Sequence, residues 1–420
     1  MVPEGWEEKT IAECLRDKKS MAYGILQPGD DVEGGVPMLR TVDIAENGMS
    51  NTKVLRVSQE LHQEYSRTSL EGGEVLFSVM GTVGRGMVVP DLCKGWNVNR
   101  ALAVIRLNEG VDPYYFCEYL KSPFINDRLK EQAIGSAQKR INLGDLKKHK
   151  VNIPPLVEQH KIANILSAWD DAIATTEQLL ANSEQQKKTL TQQLLTGKMR
   201  LPEFGQSGSG GFRQKTLPDG WAYERIGDFA EEVAERNTER EESPVLSCSK
   251  YDGFVDSLKY FKKKVYSSDT SNYKVIRRGE FGFPANHVEE GSIGLQSTYE
   301  RGIVSPIYVV FRVDSERVDK LFLYKMLKTD HYRQVFAAST SASVDRRGSL
   351  RWKQFSNIKV PLPNLEEQKA ISRVIQLSER EEKLLKQSLE KLRSEKRALM
   401  QQLLTGKRRV KTAESEPATA

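Results

Sequence analysis

The residues that could carry catalysis occur without the spacing a reaction needs. Gly81-Thr82-Val83-Gly84-Arg85-Gly86 is a glycine array. A dinucleotide site requires GxGxxG, and a phosphate loop closes on Lys with Ser or Thr. GxxGxG is neither, and reads as a turn or bulge between strands. Asp112-Pro113-Tyr114-Tyr115 falls one proline short of the acidic-Pro-Pro-aromatic tetrad that holds a flipped adenine for methylation. It reads as a helix start, with Asp112 as N-cap and proline in the first turn. No carboxylate cluster has metal spacing, and no GxSxG occurs. Four cysteines (Cys14, Cys93, Cys117, Cys248) form no CxxC pair, and five histidines are scattered. That argues against a zinc finger or a disulfide scaffold and for buried thiols in a reducing compartment. No catalytic residue and no metal ligand is assigned.

Binding chemistry is better represented. Gln138-Lys139-Arg140-Ile141-Asn142 precedes Lys147-Lys148-His149-Lys150, and far downstream Asp345-Arg346-Arg347-Gly348 precedes Arg351-Trp352-Lys353. A third basic run, Lys259-Tyr260-Phe261-Lys262-Lys263-Lys264-Val265-Tyr266, is interleaved with aromatics. Lys and Arg suit phosphates, while Arg, Lys, Asn and Gln read base edges. A single such run is an ordinary solvated face. Recurrence at equivalent places in two divergent regions favours duplex DNA as the partner. The candidate DNA contacts are Arg85, Arg100, Gln138, Lys139, Arg140, Lys262, Lys263, Lys264, Arg346, Arg347, Arg351 and Lys353.

The elements that must position these residues are duplicated. TQQLLTGK (191–198) returns as MQQLLTGK (400–407), and IPPLVEQ (153–159) as LPNLEEQ (362–368), both 209 residues on. Val2-Pro3-Glu4-Gly5-Trp6 parallels Leu217-Pro218-Asp219-Gly220-Trp221 at a different offset, so the intervening loops differ in length. The ungapped stretch is predicted to be a long helix, 158–195, about 57 Å at 1.5 Å per residue, and its repeat 367–404. Spacings of four and three pick out one seam: Ile162, Leu166, Trp169, Ile173, Leu180, Leu190 and Leu194. In the repeat they pick out Ile371, Ile375, Leu385, Leu389, Leu392, Leu399 and Leu403. Two matched seams predict that helix 158–195 packs against helix 367–404 within one chain as a coiled coil; the alternative is that each helix packs only on its own domain. Ahead of each helix, GEVLFSVMGTVGRGMVVP (73–90), RALAVIRL (100–107) and SPIYVVFRV (305–313) read as strands, and 112–135 and 318–339 as amphipathic helices.

The expected fold is therefore α+β: two similar strand-rich domains joined by two long helices. The expected boundaries are a first domain at 1–153, its helix at 154–202 and a Gly/Ser-rich linker at 203–216. A second domain at 217–361, its helix at 362–407 and a flexible tail at 408–420 complete them. Composition agrees with a soluble chain: 420 residues, 38% hydrophobic and 29% charged, with a mild net charge of +6. No run approaches the 18 or so apolar residues of a membrane span, and MVPEGWEEKT has no signal-peptide character, so a cytoplasmic location is expected.

The segment 154–198, with Pro-Pro-Leu-x-Glu-Gln followed by Ile-Ala-x-Ile-Leu and closing on Gln-Leu-Leu-Thr-Gly-Lys, resembles the central conserved region of type I restriction-modification specificity subunits. The segment 363–407 resembles their distal conserved region, and GEVLFSVMGTVG and GSAQKRINLGDLKKHKVNIPP resemble their target-recognition domains. The second copy's GEFGFPANHVEEGSIG departs from the Leu-Phe-Ser-x-x-Gly form. The resemblance implies a non-catalytic DNA-reading subunit with two recognition domains for a split, asymmetric target. Its long helices would form an intramolecular antiparallel coiled coil, relating the halves by a pseudo-two-fold axis, separating the domains and docking two methylation subunits, which use S-adenosylmethionine to methylate adenine. Restriction-translocase subunits would use ATP and Mg²⁺ to translocate and cut. Two other readings stay open: a self-contained DNA adenine methyltransferase, which would need the cofactor fingerprint and intact tetrad not found above, and a coiled-coil scaffold that reads no DNA.

Overall fold

The computed structural model describes residues 2–45, 48–50, 53–134, 140–205, 217–239, 241–286, 288–340 and 349–411. The chain divides into two compact units, residues 1–180 with 384–420 and residues 181–383. Each unit contains one strand-rich domain and a part of each long helix.

In the first unit four antiparallel strands run in the order Met21–Tyr23, Leu102–Ile105, Val75–Ser78, Gly86–Val88. Side chains alternate across a strand. Val75 and Phe77 enter the larger core with Ala103 and Ile105, while Leu76 enters a second core with Leu102 and Val104. Both faces of the sheet are thus covered, which is why VLFS and LAVI are continuous buried runs. The larger core is closed by Tyr115, Phe116 and Leu120 from the helix Pro113–Lys121. Asp112 caps that helix by accepting a 2.7 Å hydrogen bond from the Tyr115 amide. The expected helix over 112–135 is two helices, Pro113–Lys121 and Pro123–Ile134. Pro123 lacks the amide needed to continue the first, and Ser122 before it is extended.

The second unit repeats the plan. Its sheet runs Ala230–Glu232, Tyr308–Val313, Phe281–Pro284, Gly294–Leu295, again antiparallel. Phe281 stacks on Phe311 at 5.0 Å, and Phe283 meets Phe355 at 4.7 Å. Here too the expected helix over 318–339 is two, Lys320–Leu327 and Asp330–Ser339, with Thr329 capping the second.

Each domain is tied off by its own ends. Glu7–Thr10 pairs with Lys150–Ile153, and Ala222–Arg225 with Lys359–Leu362. Immediately afterwards the long helices begin, as Leu156–Leu195 and Leu365–Leu403. Both start two residues before the expected position. Within the first unit they run antiparallel: Asp170 pairs with Lys396 at 2.6 Å and Glu177 with Arg393 at 2.6 Å. Within the second unit Lys187 pairs with Glu382 and Arg200 with Glu367 in the same sense. Every seam residue named above is buried or half-buried, among them Ile162, Leu166 and Leu194, and Ile371, Ile375 and Leu403.

The Glu-Gln pairs at the helix starts are buried joints. Gln159 donates to Pro154 O and Gly110 O and accepts from the Asp112 amide, so it ties helix, strand end and domain helix together. Gln368 makes the matching bonds to Pro363 O, Arg317 O and the Asp319 amide. Glu158 receives both arms of Arg409 at 2.7 Å and the Trp6 indole at 3.1 Å. Glu367 receives both arms of Arg200, at 2.9 and 2.7 Å. Gly406 and Gly197, just past the helix ends, adopt left-handed φ of 68° and 67°. A Cβ there would also overlap the ring of Pro3 or Pro218. The tail expected from residue 408 is fixed at its start: Arg409 is held as above, and Lys411 O accepts from Lys161 at 2.8 Å. Most of the linker, 206–216, and residues 412–420 lie outside the described residues.

Candidate nucleic-acid interface

In the first unit the glycine array is the turn of the hairpin formed by Val75–Ser78 and Gly86–Val88. Ser78 organises it by donating from Oγ to Thr82 O at 2.6 Å and accepting from the Arg85 amide at 2.8 Å. Gly84 has φ of 98° and lies so close to Asn126 that a side chain there would collide with it. Arg140 forms an antiparallel bridge with Met80, and the Ile141 amide donates to Val79 O at 2.7 Å. The basic segment and the glycine turn, 55 residues apart in sequence, are therefore neighbours. Arg140 is exposed. Arg85 is half-buried, and its guanidinium donates to Ile44 O at 3.2 Å and Thr41 O at 3.4 Å. Arg100 is half-buried beside the same sheet, its amide donating to Ile25 O. Gln138 and Lys139 lie outside the described residues.

Beside this turn opens a cleft of about 560 Å³, lined by Arg85, Lys121, Asn126, Asp170, Arg393, Lys396 and Arg397 among others. Its floor is a buried charge network in which Lys396 bridges Asp170 at 2.6 Å and Glu118 at 3.0 Å, and Lys121 also pairs with Glu118. Burial alone would raise the Glu118 carboxyl, but Lys121 and Lys396 hold it below its ordinary value. Burial likewise opposes the charge on Lys121, yet Glu118 outweighs it and the ammonium is held more firmly than usual. Asp170 is pushed up by desolvation. The balance of charge on the cleft wall is positive, which suits a polyanion.

The second unit places its segment in the same way, with the Leu350 amide donating to Ala285 O at 2.8 Å. Arg351 and Lys353, at the start of the helix Trp352–Phe355, are exposed. Arg346 and Arg347 lie outside the described residues. Lys262, Lys263 and Lys264 are all exposed and follow the helix Ser257–Phe261, remote in sequence from Arg351.

The four thiols are buried or half-buried. Burial pushes the Cys14 thiol up to about 11 and those of Cys117 and Cys248 up to about 12, and raises Cys93 too. Such thiols stay protonated near neutrality. No group of three metal-ligating side chains occurs among the described residues, and no described helix is long and apolar enough to cross a membrane. Sequence reasoning missed the cleft residues Lys121, Arg393 and Arg397, whose neighbourhood depends on tertiary packing. It also missed Arg200 and Arg409, although they obey the same 209-residue offset, two residues past Lys198 and Lys407.

Comparison with known proteins fits this geometry. The family model described as the Type I restriction modification DNA specificity domain matches residues 3–185 and 218–394. The type I restriction enzyme EcoBI specificity subunit of Escherichia coli is 30% identical over 207 residues, 48% of this chain and 42% of that relative. That match thus spans less than half of the relative's length. The type I restriction enzyme MjaVIII specificity subunit of Methanocaldococcus jannaschii is 24% identical over 98% of this chain and 94% of its own. Among solved structures, the HsdS subunit from Thermoanaerobacter tengcongensis superposes with a TM-score of 0.52 at 17% identity, covering 96% of this chain and 98% of that one. The type I restriction-modification S subunit from M. genitalium gives 0.55 at 15% identity, covering 96% of each. At these identities the structures speak for the fold.

Proposed function

Because the chain belongs to the type I restriction-modification DNA specificity family, with two copies of its domain, we propose that it reads a split duplex target, one half-site per domain. The observation that carries this is the duplication itself. Both units build the same sheet, hairpin edge and helix joint, yet differ in the loops and charges they expose. A shared scaffold with divergent exposed segments is what two different half-sites require, and it gives an asymmetric target. Arg140 and the glycine turn in the first unit, and Arg351, Lys353 and the Lys262 run in the second, are the contacts we assign to DNA.

In this reading the chain is non-catalytic and holds no cofactor. Two methylation subunits dock on the long helices and methylate adenine with S-adenosylmethionine, and restriction-translocase subunits supply ATP- and Mg²⁺-dependent cleavage. Methylome sequencing of a host carrying the system tests the proposal. It should return two unlike half-sites separated by a fixed gap of unspecified bases. A continuous palindromic motif would refute it, as would S-adenosylmethionine binding by the purified chain alone.

A further inference from the structure

The second unit exposes apolar surface concentrated in one short stretch. Tyr251 is 82% exposed, and Leu258, Tyr260, Phe261 and Val265 are each roughly half exposed. They lie on one piece of structure. Leu246–Ser249 and Gly253–Asp256 form a hairpin with Tyr251 at its tip, and the helix Ser257–Phe261 follows directly. Tyr260 Oη lies 3.5 Å from Ser249 Oγ, which places the helix against the hairpin. The Tyr260 and Phe261 rings meet edge to face at 5.1 Å.

This platform is rigidly rooted. Leu246 and Phe254 are buried in a core with Ile276 and Val310. The Cys248 amide donates to Tyr308 Oη at 2.9 Å, and Lys328 Nζ donates to Lys250 O at 2.6 Å. Lys250, Lys259, Lys262, Lys263 and Lys264, all exposed, surround the aromatics, against the two carboxylates Asp252 and Asp256. Asp256 is occupied in capping the helix. Lys262 is the one non-glycine residue with left-handed backbone among the described residues, at φ 54°. The chain accepts that strain to turn sharply off the helix beside Phe261. In the first unit, by contrast, the large hydrophobics exposed between Met21–Tyr23 and Val75–Ser78 are the aliphatic Leu26, Val32 and Val42.

Rigid exposed rings ringed by lysines complement a duplex whose bases present flat faces and whose backbone is anionic. We infer that Tyr251, Tyr260 and Phe261 form a stacking wedge that the second unit presses between bases of its half-site, with the surrounding lysines on phosphates. This rests on the DNA-reading function proposed above and adds that the two half-sites are read by different physics. The first unit relies on hydrogen-bonding loops. The second also senses how easily a base step unstacks, which favours pyrimidine–purine steps.

The test uses the full chain assembled with its methylation partners, on duplexes carrying the intact target or a changed second half-site, across a salt series. Phe261→Ala and Tyr260→Ala should each reduce discrimination at the second half-site about tenfold and leave the salt slope unaltered. Phe261→Tyr, which keeps the ring, should restore it. Lys263→Gln should lower affinity for all duplexes alike and reduce the salt slope by about one. Normal discrimination by both alanine variants overturns the wedge while leaving the DNA-reading function standing. So does failure of those variants to assemble with the methylation partner, which would make the patch a protein contact. A wild-type assembly that shows no sequence selectivity overturns the proposed function and the wedge with it.

Discussion

At the scale of single residues, the sites that matter most to stability are charges and thiols taken out of water. Glu158 is almost fully buried and depends on Arg409 and Trp6. Removing one partner of a buried pair leaves an uncompensated charge, at a cost of about 3–5 kcal/mol where water cannot reach. Because the Arg409 side chain is 43% exposed, Arg409→Ala should cost less, about 2 kcal/mol. Chemical denaturation of the first unit, followed by Trp6 fluorescence, would measure it. Lys396→Met should be harsher, since it removes the buried ammonium that bridges Glu118 and Asp170. The thiols set an alkaline limit. Their folded values of about 11 to 12 exceed the ordinary thiol value, so the native state binds those protons more tightly than the unfolded chain does. Their contribution to stability is complete below about pH 8.5 and declines as pH rises through 11 to 12. Denaturant midpoints should fall over that window, and thiol reagents at pH 8 should label the native chain far more slowly than the unfolded one. Rapid labelling of Cys117 in the native state would contradict its burial.

At the scale of elements, the long helices were the most legible part, because a seam at spacings of four and three reports burial directly. Leu389→Ala, which truncates a buried seam position, should cost about 2–5 kcal/mol and lower the melting temperature. Exposed Leu384→Ala on the same helix should change stability little. The recurrent Leu-Leu-Thr-Gly-Lys was legible as a repeat but not as a mechanism. Its glycine is required both by a left-handed backbone and by a proline, Pro3, 403 residues upstream in one copy and Pro218, 21 downstream, in the other. Gly406→Ala should therefore destabilise by more than the roughly 1 kcal/mol usual for a left-handed glycine. Calorimetry should place that loss in the unit that holds Pro3. The domain helices were less legible. Pro123 sits where amphipathic periodicity alone reads one continuous helix, and that periodicity is insensitive to a missing amide. The proposed DNA contacts were the least legible. Arg140 gains its meaning from Met80 across the sheet edge, and the exposure of Tyr251 and Phe261 is decided by packing beneath them. A run of lysines and aromatics does not announce which ring faces solvent.

At the scale of the whole molecule, duplication means that each helix serves both units, so a change of length in one helix must be matched in the other. Inserting seven residues in both helices, after Leu180 and after Lys383, preserves the Asp170–Lys396 and Lys187–Glu382 pairings and adds about 10 Å of helix. The expected methylome keeps both half-sites and lengthens the gap by about three base pairs. Altered half-sites with the original gap would argue against helices as the spacer. The division of the chain has one more consequence, which concerns synthesis. The second unit is a single stretch, 181–383, whereas the first needs residues 1–180 together with 384 onward, down to Arg409 on Glu158. Domains fold as their residues emerge from the ribosome. The unit translated first is thus the last to be completed: its N-terminal portion must wait, its core lacking Met400, Leu403 and Leu404, until the second long helix is released. Assembly therefore proceeds from the middle outward: a nascent chain that has released residues up to 383 and no further carries one complete unit and one incomplete one.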